Sequence, residues 1–230
     1  MSNTIIQAIL DSKLYMNTEN RFCNGTCLID AAQNGSIREI KLALMRYNAD
    51  LNVKDSEGQT AFMWAVREGK TDIAKFLIEK GADLNARDKN GCSALMWAIF
   101  ENQTDMARIL IEEGADLNVQ DGDKVYTPLM WAIHNNNLYV TKLLIEIGAD
   151  LNVQDWRGYT ALMWAVVKGQ ADIAKFLIEK GADLNVQDHW PGQTALIRTV
   201  AEGEADNAKF LMEKGADVNV KEETYGRNIL

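Results

Sequence analysis

A tandem repeat with a period of 33 residues is the feature that most constrains the fold of this chain. The phrase "TALMWA" that begins at Thr160 has close copies: "TAFMWA" from Thr60, "SALMWA" from Ser93 and "TPLMWA" from Thr127. The aspartates that open the copies are 33 or 34 residues apart, at Asp55, Asp88, Asp121, Asp155 and Asp188. A period of this length predicts a stack of similar supersecondary units, because one such unit cannot bury its apolar face alone.

Each copy has the local chemistry of a turn followed by two helices. In the copy that contains "TALMWA", "DWRGYT" is a turn in which Gly158 is free to take a positive φ, and Thr160 is placed to cap the next helix. A short helix is predicted over 161–167, and Gly169 separates it from a longer helix in "QADIAKFLIEK". Gly181 supplies the left-handed residue that ends the second helix.

The copies resemble the ankyrin repeat, whose consensus runs D-x-x-G-x-T-P-L-H-x-A and later L-L-x-x-G-A-D-x-N. The match covers nearly everything from about residue 21 to the end. Alanine replaces the proline of the consensus except at Pro128, and the threonine to histidine hydrogen bond of the family cannot form. The reason is that methionine replaces the histidine, at Met63, Met96, Met130 and Met163. The resemblance implies an all-α repeat solenoid, in which stacked helix-turn-helix units are joined by β-turn or hairpin-like fingers.

Repeat boundaries follow from this alignment. The predicted organisation is an N-terminal capping helix at 1–20, a degenerate repeat 1 at 21–54, repeats 2 to 6 at 55–87, 88–120, 121–154, 155–187 and 188–221, and the start of a truncated repeat 7 at 222–230. Repeat 1 is degenerate because Asn48 stands where later copies have glycine. The first segment is read as a cap, because an amphipathic membrane anchor needs a lysine-rich polar face and finds only Lys13.

The composition is typical of a soluble, folded chain, with 47% hydrophobic and 25% charged residues. A net charge of −9, with basic and acidic residues interspersed, disfavours nucleic acid as a partner. The N-terminus "MSNTIIQAIL" lacks the features of a secretory signal, and no apolar run is long enough to span a membrane. We therefore expect a cytoplasmic protein without a membrane partner, and non-classical secretion stays open.

The sequence contains no catalytic or metal-binding constellation. Its two histidines, His134 and His189, lie in unrelated contexts, and most carboxylates are determined by the repeat. The pair Cys23 and Cys27 has no second ligand pair nearby to complete a zinc site. Together with Cys92, these cysteines are expected to be reduced thiols, because three are too few for a disulfide framework. We therefore expect a protein that is not an enzyme and has no metal or cofactor.

Four tryptophans occupy one position in consecutive repeats: Trp64, Trp97, Trp131 and Trp164. Stacking should place them in a column, and their Ala, Leu, Met and Val neighbours predict that the column is packed in the core. An exposed aromatic platform for bases or a cation is the alternative, but it would need basic neighbours. The sixth repeat has Arg198 at this position. One interpretation is the more polar face of a terminal repeat, and the resemblance of 226–230 to the opening of a seventh repeat argues against a true end.

Recognition of a partner should depend on the positions that vary between repeats, because stacking already explains the repeated ones. In the ankyrin architecture the turn tips and the exposed ends of the first helices line a concave groove, where aromatic and arginine side chains are typical of binding hot spots. The predicted partner-binding residues are Trp156, Tyr159, Trp190, Tyr126, Arg157, His189, His134, Phe100, Arg67 and Lys168. The aromatic members would instead be structural if each packed on the neighbouring tip.

The predicted function is a monomeric protein-protein interaction scaffold that holds a protein or peptide partner. The acidic net charge favours a partner with a net basic or mixed-charge surface. Two alternatives stay open: a structural or regulatory spacer within a larger protein, and a module of a secreted bacterial effector.

Overall fold

The structure, a computed structural model, describes residues 26–47 and 49–220. The predicted capping helix at 1–20, the predicted start of repeat 7 at 222–230 and Asn48 lie outside the described residues. The chain divides into two compact units, Met1–Asp83 and Leu84–Leu230.

The described part of the first unit contains two helix pairs. They are α1 (Thr26–Asn34), α2 (Ile37–Tyr47), α3 (Ala61–Arg67) and α4 (Thr71–Glu79). The first helices of the two pairs, α1 and α3, pack against each other, and the second helices α2 and α4 do the same. Leu28, Phe62 and Leu77 are fully buried between these layers.

The described part of the second unit contains four such helix pairs. Its helices are α5 (Ala94–Phe100), α6 (Thr104–Glu112), α7 (Pro128–His134), α8 (Leu138–Ile147), α9 (Ala161–Val167), α10 (Ala171–Glu179), α11 (Ala195–Ala201) and α12 (Ala205–Glu213). The first helices α5, α7, α9 and α11 pack in sequence order in one layer, and the second helices α6, α8, α10 and α12 form the other. Across residues 26–47 and 49–220 there are twelve helices and no strand beyond an isolated bridge, which confirms the all-α repeat solenoid.

The first helix of each of repeats 2 to 6 begins where a threonine or serine caps it. Thr160 Oγ1 accepts a hydrogen bond from Met163 N at 3.4 Å, and α9 covers the predicted residues 161–167. The equivalent caps are Thr60, Ser93, Thr127 and Thr194. Gly181 follows α10 at a φ of 89°, as predicted for a left-handed stop.

The recurring "GADLN" asparagine joins consecutive repeats. In the second unit, Asn118 Oδ1 accepts from Asp150 N and Asn152 Oδ1 accepts from Asp183 N, both at 2.8 Å. The bond recurs between Asn85 and Asp116 and between Asn185 and Asp217. Each repeat therefore satisfies a backbone donor of the next, which explains why this asparagine recurs with the period of the fold.

The methionines and tryptophans of the repeated phrase have different surroundings. All four methionines, Met63, Met96, Met130 and Met163, are fully buried. Trp164 is also buried, at 6% exposure, but Trp64, Trp97 and Trp131 are only half-buried. The prediction that the tryptophan column is buried in the core is therefore confirmed for Trp164. It is wrong for the other three tryptophans in that each keeps part of its side chain exposed to solvent.

The cysteines differ from expectation at one position. Cys27 is disulfide-bonded, so the prediction of a reduced thiol is wrong for this residue. Cys92 is a free thiol, as expected, and burial raises its pKa to about 12. A thiol with such a raised pKa is a poor nucleophile at neutral pH.

Candidate functional site: the finger face of the second unit

The aspartate that opens each of repeats 2 to 6 organises the finger above it. Asp155 is 1% exposed, and its Oδ1 accepts hydrogen bonds from the backbone N–H groups of Arg157 and Tyr159 at 2.8 Å. The finger is closed by a bond from Asp155 N to Tyr159 O at 3.0 Å, the hairpin-like closure that was predicted. The second carboxylate oxygen, Oδ2, accepts from Trp164 Nε1 at 2.9 Å. One carboxylate thus fixes both the finger and the indole.

This carboxylate to indole bond recurs in every repeat that carries the tryptophan. The Nε1 to Oδ2 distances are 2.7 Å for Trp64 and Asp55, 3.0 Å for Trp97 and Asp88, and 3.0 Å for Trp131 and Asp121. Sequence reasoning missed this bond. The bond could have been found from the constant spacing of aspartate and tryptophan in the sequence. The two residues are nine positions apart in the shorter fingers and ten apart in the longer finger of repeat 4.

Arg198 replaces the indole donor in the sixth repeat. Its guanidinium donates to Asp188 Oδ2 and forms a salt bridge in which the Asp188 side chain is fully buried. The guanidinium carbon also lies 4.0 Å from the centroid of the Tyr159 ring. The interpretation of Arg198 as part of a polar terminal face is therefore wrong, because its side chain is only 13% exposed and holds the finger as tryptophan does elsewhere.

Aromatic rings of the second unit form one interleaved column. Phe100 lies between Trp97 and Trp131, with centroid distances of 5.9 and 5.6 Å. Tyr126 lies between Trp131 and Trp164, at 5.4 Å from each. Interplanar angles from 72° to 86° make these edge-to-face contacts, which stabilise packed aromatic clusters. The side chains that vary between repeats therefore fill the spaces between the repeated tryptophans.

The predicted partner-binding residues divide by exposure. Trp156, Trp190 and Phe100 are exposed, at 53%, 49% and 51%. Arg157, His189 and Lys168 are also exposed, whereas Tyr159 and His134 are half-buried in the column. The expectation of an exposed ring is wrong for Tyr126, which is 4% exposed because two tryptophans enclose it. Arg67 is half-buried in the first unit, where its guanidinium lies over Trp64, and the other nine residues belong to the second.

Neighbouring fingers are joined through their backbones. Trp156 N donates to Lys124 O at 3.2 Å, and His189 N donates to Arg157 O at 2.8 Å. The approach requires glycine at Gly158, where φ is 83° and a Cβ atom would lie 2.4 Å from His189 N. The exposed rings of Trp156 and Trp190 thus stand on fingers whose backbones are held by hydrogen bonds to neighbouring fingers.

We call the surface made by the fingers of repeats 4 to 6 and the exposed ends of α5, α7, α9 and α11 the finger face. Its electrostatics depend on cations that lie over rings. Lys124 Nζ is 5.5 Å from the Tyr126 centroid and 5.3 Å from that of Trp131, and Lys168 Nζ is 6.0 Å from Trp164. Burial, followed by the charge of Lys168, lowers the pKa of His134.

The described residues form neither a metal-binding cluster nor a membrane-spanning helix. Within residues 26–47 and 49–220, no group of three or more His, Cys, Asp or Glu side chains is arranged to hold a metal ion. In the same ranges, no helix combines the length and apolar character needed to cross a membrane.

Comparisons with known proteins agree with this architecture. The family model described as ankyrin repeats (3 copies) matches residues 2–88, 28–121 and 122–188. The chain therefore belongs to the ankyrin-repeat family. Among curated proteins, no sequence matches it significantly.

Among the solved structures that are similar to this chain, two match it over most of its length. One is the complex of the predatory endopeptidase Bd0816 from Bdellovibrio bacteriovorus with the immunity protein Bd3460. The match is 33% identical, covers 82% of this chain and 97% of the other, and has a TM-score of 0.69. The second is the ankyrin repeat domain of Bcl-3, a member of the IkappaB protein family. That match is 25% identical, covers 86% and 89% of the two chains, and has a TM-score of 0.75.

Proposed function

We propose that this protein is a non-catalytic interaction scaffold that binds a protein or peptide partner through the finger face. The observation that carries the proposal is the pair of exposed indoles, Trp156 and Trp190, on two consecutive fingers. Packing within the repeats does not require these rings, and exposed aromatic clusters on a rigid surface are typical of binding hot spots. In ankyrin architecture this surface corresponds to the concave groove.

The comparisons support a protein partner. The similar chain at 33% identity belongs to a complex between an endopeptidase and an immunity protein. That chain is therefore found bound to another protein. We further propose that the partner class excludes nucleic acid and membranes, and that the protein is a cytoplasmic monomer. The net charge of −9 supports the first point, because it repels phosphate backbones overall.

The test compares the two exposed finger indoles with exposed apolar residues on the second helices. A partner captured from lysate is purified, and its affinity is measured for the wild type, for W156A/W190A and for the control Y139A/M212A. Tyr139 and Met212 are 52% and 48% exposed, so the control removes similar exposed surface from α8 and α12. We expect W156A/W190A to weaken binding by about 2 kcal/mol or more, as hot-spot residues do, and the control to leave it unchanged.

Equal affinity of all three proteins would overturn the proposal and favour the spacer hypothesis. Tyr159 is left intact in this design because its ring packs 5.6 Å from Trp164 and under Arg198. Its removal would confound a loss of binding with a loss of structure.

A further inference from the structure

Three cations of the finger face pair with no acidic side chain among the described residues. Lys124, Arg157 and Lys168 are exposed, and none of them forms an ion pair with another residue in the described ranges. Each lies over an aromatic ring instead, as Arg157 does at 4.7 Å from the Trp156 centroid. A cation held over a ring is positioned while its outer side stays open to an anion.

These cations surround one cluster of side chains. Lys168 and Lys124 both act on His134, whose pKa is lowered mainly by burial. Arg157 acts on Tyr126, opposing the burial and the Asp155 carboxylate that raise the pKa of this phenol to about 12. The rings of His134 and Tyr126 are 6.2 Å apart, so the three positive charges converge on the same region of repeats 4 and 5.

The carboxylates of this region are already engaged. Asp121 and Asp155 are buried, and each accepts hydrogen bonds from an indole and from finger backbone groups. Asp123 is the exposed acid of the same finger, and it forms no ion pair with any described residue. Within the fingers and first-helix ends of repeats 4 and 5, three cations against one exposed acid give a local positive charge, although the whole chain carries −9 and Glu101 and Glu202 are exposed at the ends of α5 and α11 on either side.

We propose that the finger face of the second unit binds an extended protein segment rich in Asp and Glu, with carboxylates paired to Lys124, Arg157 and Lys168. The inference rests on the proposed function and specifies the chemistry of the partner. It differs from the net basic or mixed-charge partner that the overall charge favoured. Net charge counts every surface residue, whereas recognition depends on charges within about 10 Å of the contact.

Single-stranded nucleic acid also carries negative charge, but the rings that lie beneath Lys124 and Lys168 are not arranged to stack bases. Base stacking needs exposed ring faces. Lys124 covers Tyr126 and Trp131, Lys168 covers Trp164, and these rings also meet each other edge to face. The geometry therefore favours carboxylate side chains.

A library of random linear peptides displayed on phage tests this proposal without a known partner. It is selected on the wild-type chain, and the enriched peptides are synthesised and titrated against variants. We expect enrichment of net negative peptides and loss of affinity by about tenfold or more in K124E/R157E/K168E. The matched control K142E/K180E/K214E makes the same change of charge on exposed lysines outside the finger face. Two of these, Lys180 and Lys214, also lie over rings, those of Phe176 and Phe210.

The outcomes separate this inference from the proposed function. Peptides that depend on Trp156 and Trp190 but not on the three cations would overturn the acidic segment and leave the scaffold standing. Peptides that depend on neither set, or no enrichment at all, would overturn the inference, and the affinity measurements on the captured partner decide the scaffold separately. A thymidine oligonucleotide that binds in place of acidic peptides, and is lost in K124E/R157E/K168E, would also overturn it. Thermal unfolding of each variant verifies that it is folded.

Discussion

At the scale of single residues, the buried aspartate connects the finger to the first helix of its repeat. Asp155 is buried, and its carboxylate accepts hydrogen bonds from the backbone N–H of Arg157 and from the indole N–H of Trp164. A charge-assisted bond of this kind is stronger than a neutral one, and leaving its buried donor unpaired costs the desolvation energy of that donor.

Asp155→Asn should therefore destabilise the protein. The asparagine oxygen can still accept from the finger amides, but its NH2 group then faces the Trp164 N–H, which leaves the indole without an acceptor. We expect the free energy of unfolding to fall by about 1–3 kcal/mol, measured by urea denaturation. Asp123→Asn, an exposed change in a neighbouring finger, should stay within about 0.5 kcal/mol. Equal stability of the two variants would contradict a structural role for this bond.

His134 makes stability depend on pH in a defined direction. Its pKa is lowered in the folded state, mainly by burial, so below the ordinary value of about 6.5 the unfolded chain binds the proton more readily. Stability should therefore fall as pH falls from about 7 towards 5. His134→Gln should reduce this loss, as followed by urea unfolding at each pH. His189→Gln replaces the exposed histidine and serves as the control; an identical pH dependence in both variants would exclude the effect.

At the scale of the repeat, arginine and tryptophan have the same structural role, because each donates a hydrogen bond to the buried aspartate that opens its repeat. The salt bridge of Arg198 with Asp188 spans ten residues, the same spacing as the bond between Trp131 and Asp121 in the other long finger. The extra finger residue in these repeats is absorbed within the loop, which in repeat 4 places Val125 at a φ of 59°, a conformation that β-branched residues rarely adopt. The donor still reaches its carboxylate.

Arg198→Met should destabilise the sixth repeat by about 3 kcal/mol, because it leaves the buried Asp188 carboxylate without a positive partner. Arg198→Trp should cost less than half of that, since it restores an indole donor at a spacing that repeat 4 already accommodates. The comparison is made by thermal and urea unfolding. If tryptophan were as damaging as methionine, the equivalence of the two donors would be wrong.

At the scale of the second unit, stability should propagate between adjacent repeats. Trp131 and Trp164 share Tyr126, so the carboxylate bonds of Asp121 and Asp155 are linked through one ring. A solenoid in which each repeat contacts its neighbours is stabilised by nearest-neighbour terms.

A double-mutant cycle measures this coupling. Asp121→Asn combined with Asp155→Asn should deviate from additivity by at least about 0.5 kcal/mol, because the two sites share a side chain. Asp88→Asn combined with Asp155→Asn concerns repeats that are not adjacent, and the two effects should add within about 0.5 kcal/mol. Coupling of equal size in both pairs would contradict nearest-neighbour stabilisation.

The period of 33 residues determined the class of fold and the local structure of each unit before any coordinates were known. Caps such as Thr160, stops such as Gly181 and the buried methionines follow from short-range chemistry that every repeat restates. The same surroundings recur in every repeat and favour the same residue, so the sequence alone was sufficient to predict these caps, stops and buried side chains.

The tertiary structure alone decided how the variable side chains are used. Tyr126 and Phe100 looked alike in sequence, yet one is enclosed between two tryptophans and the other is half exposed. Arg198 looked like a surface residue and proved to be the partner of a buried carboxylate. The disulfide at Cys27 was not predicted either. Exposure and ion pairing depend on distances between atoms of different repeats, which the order of residues along the chain does not specify.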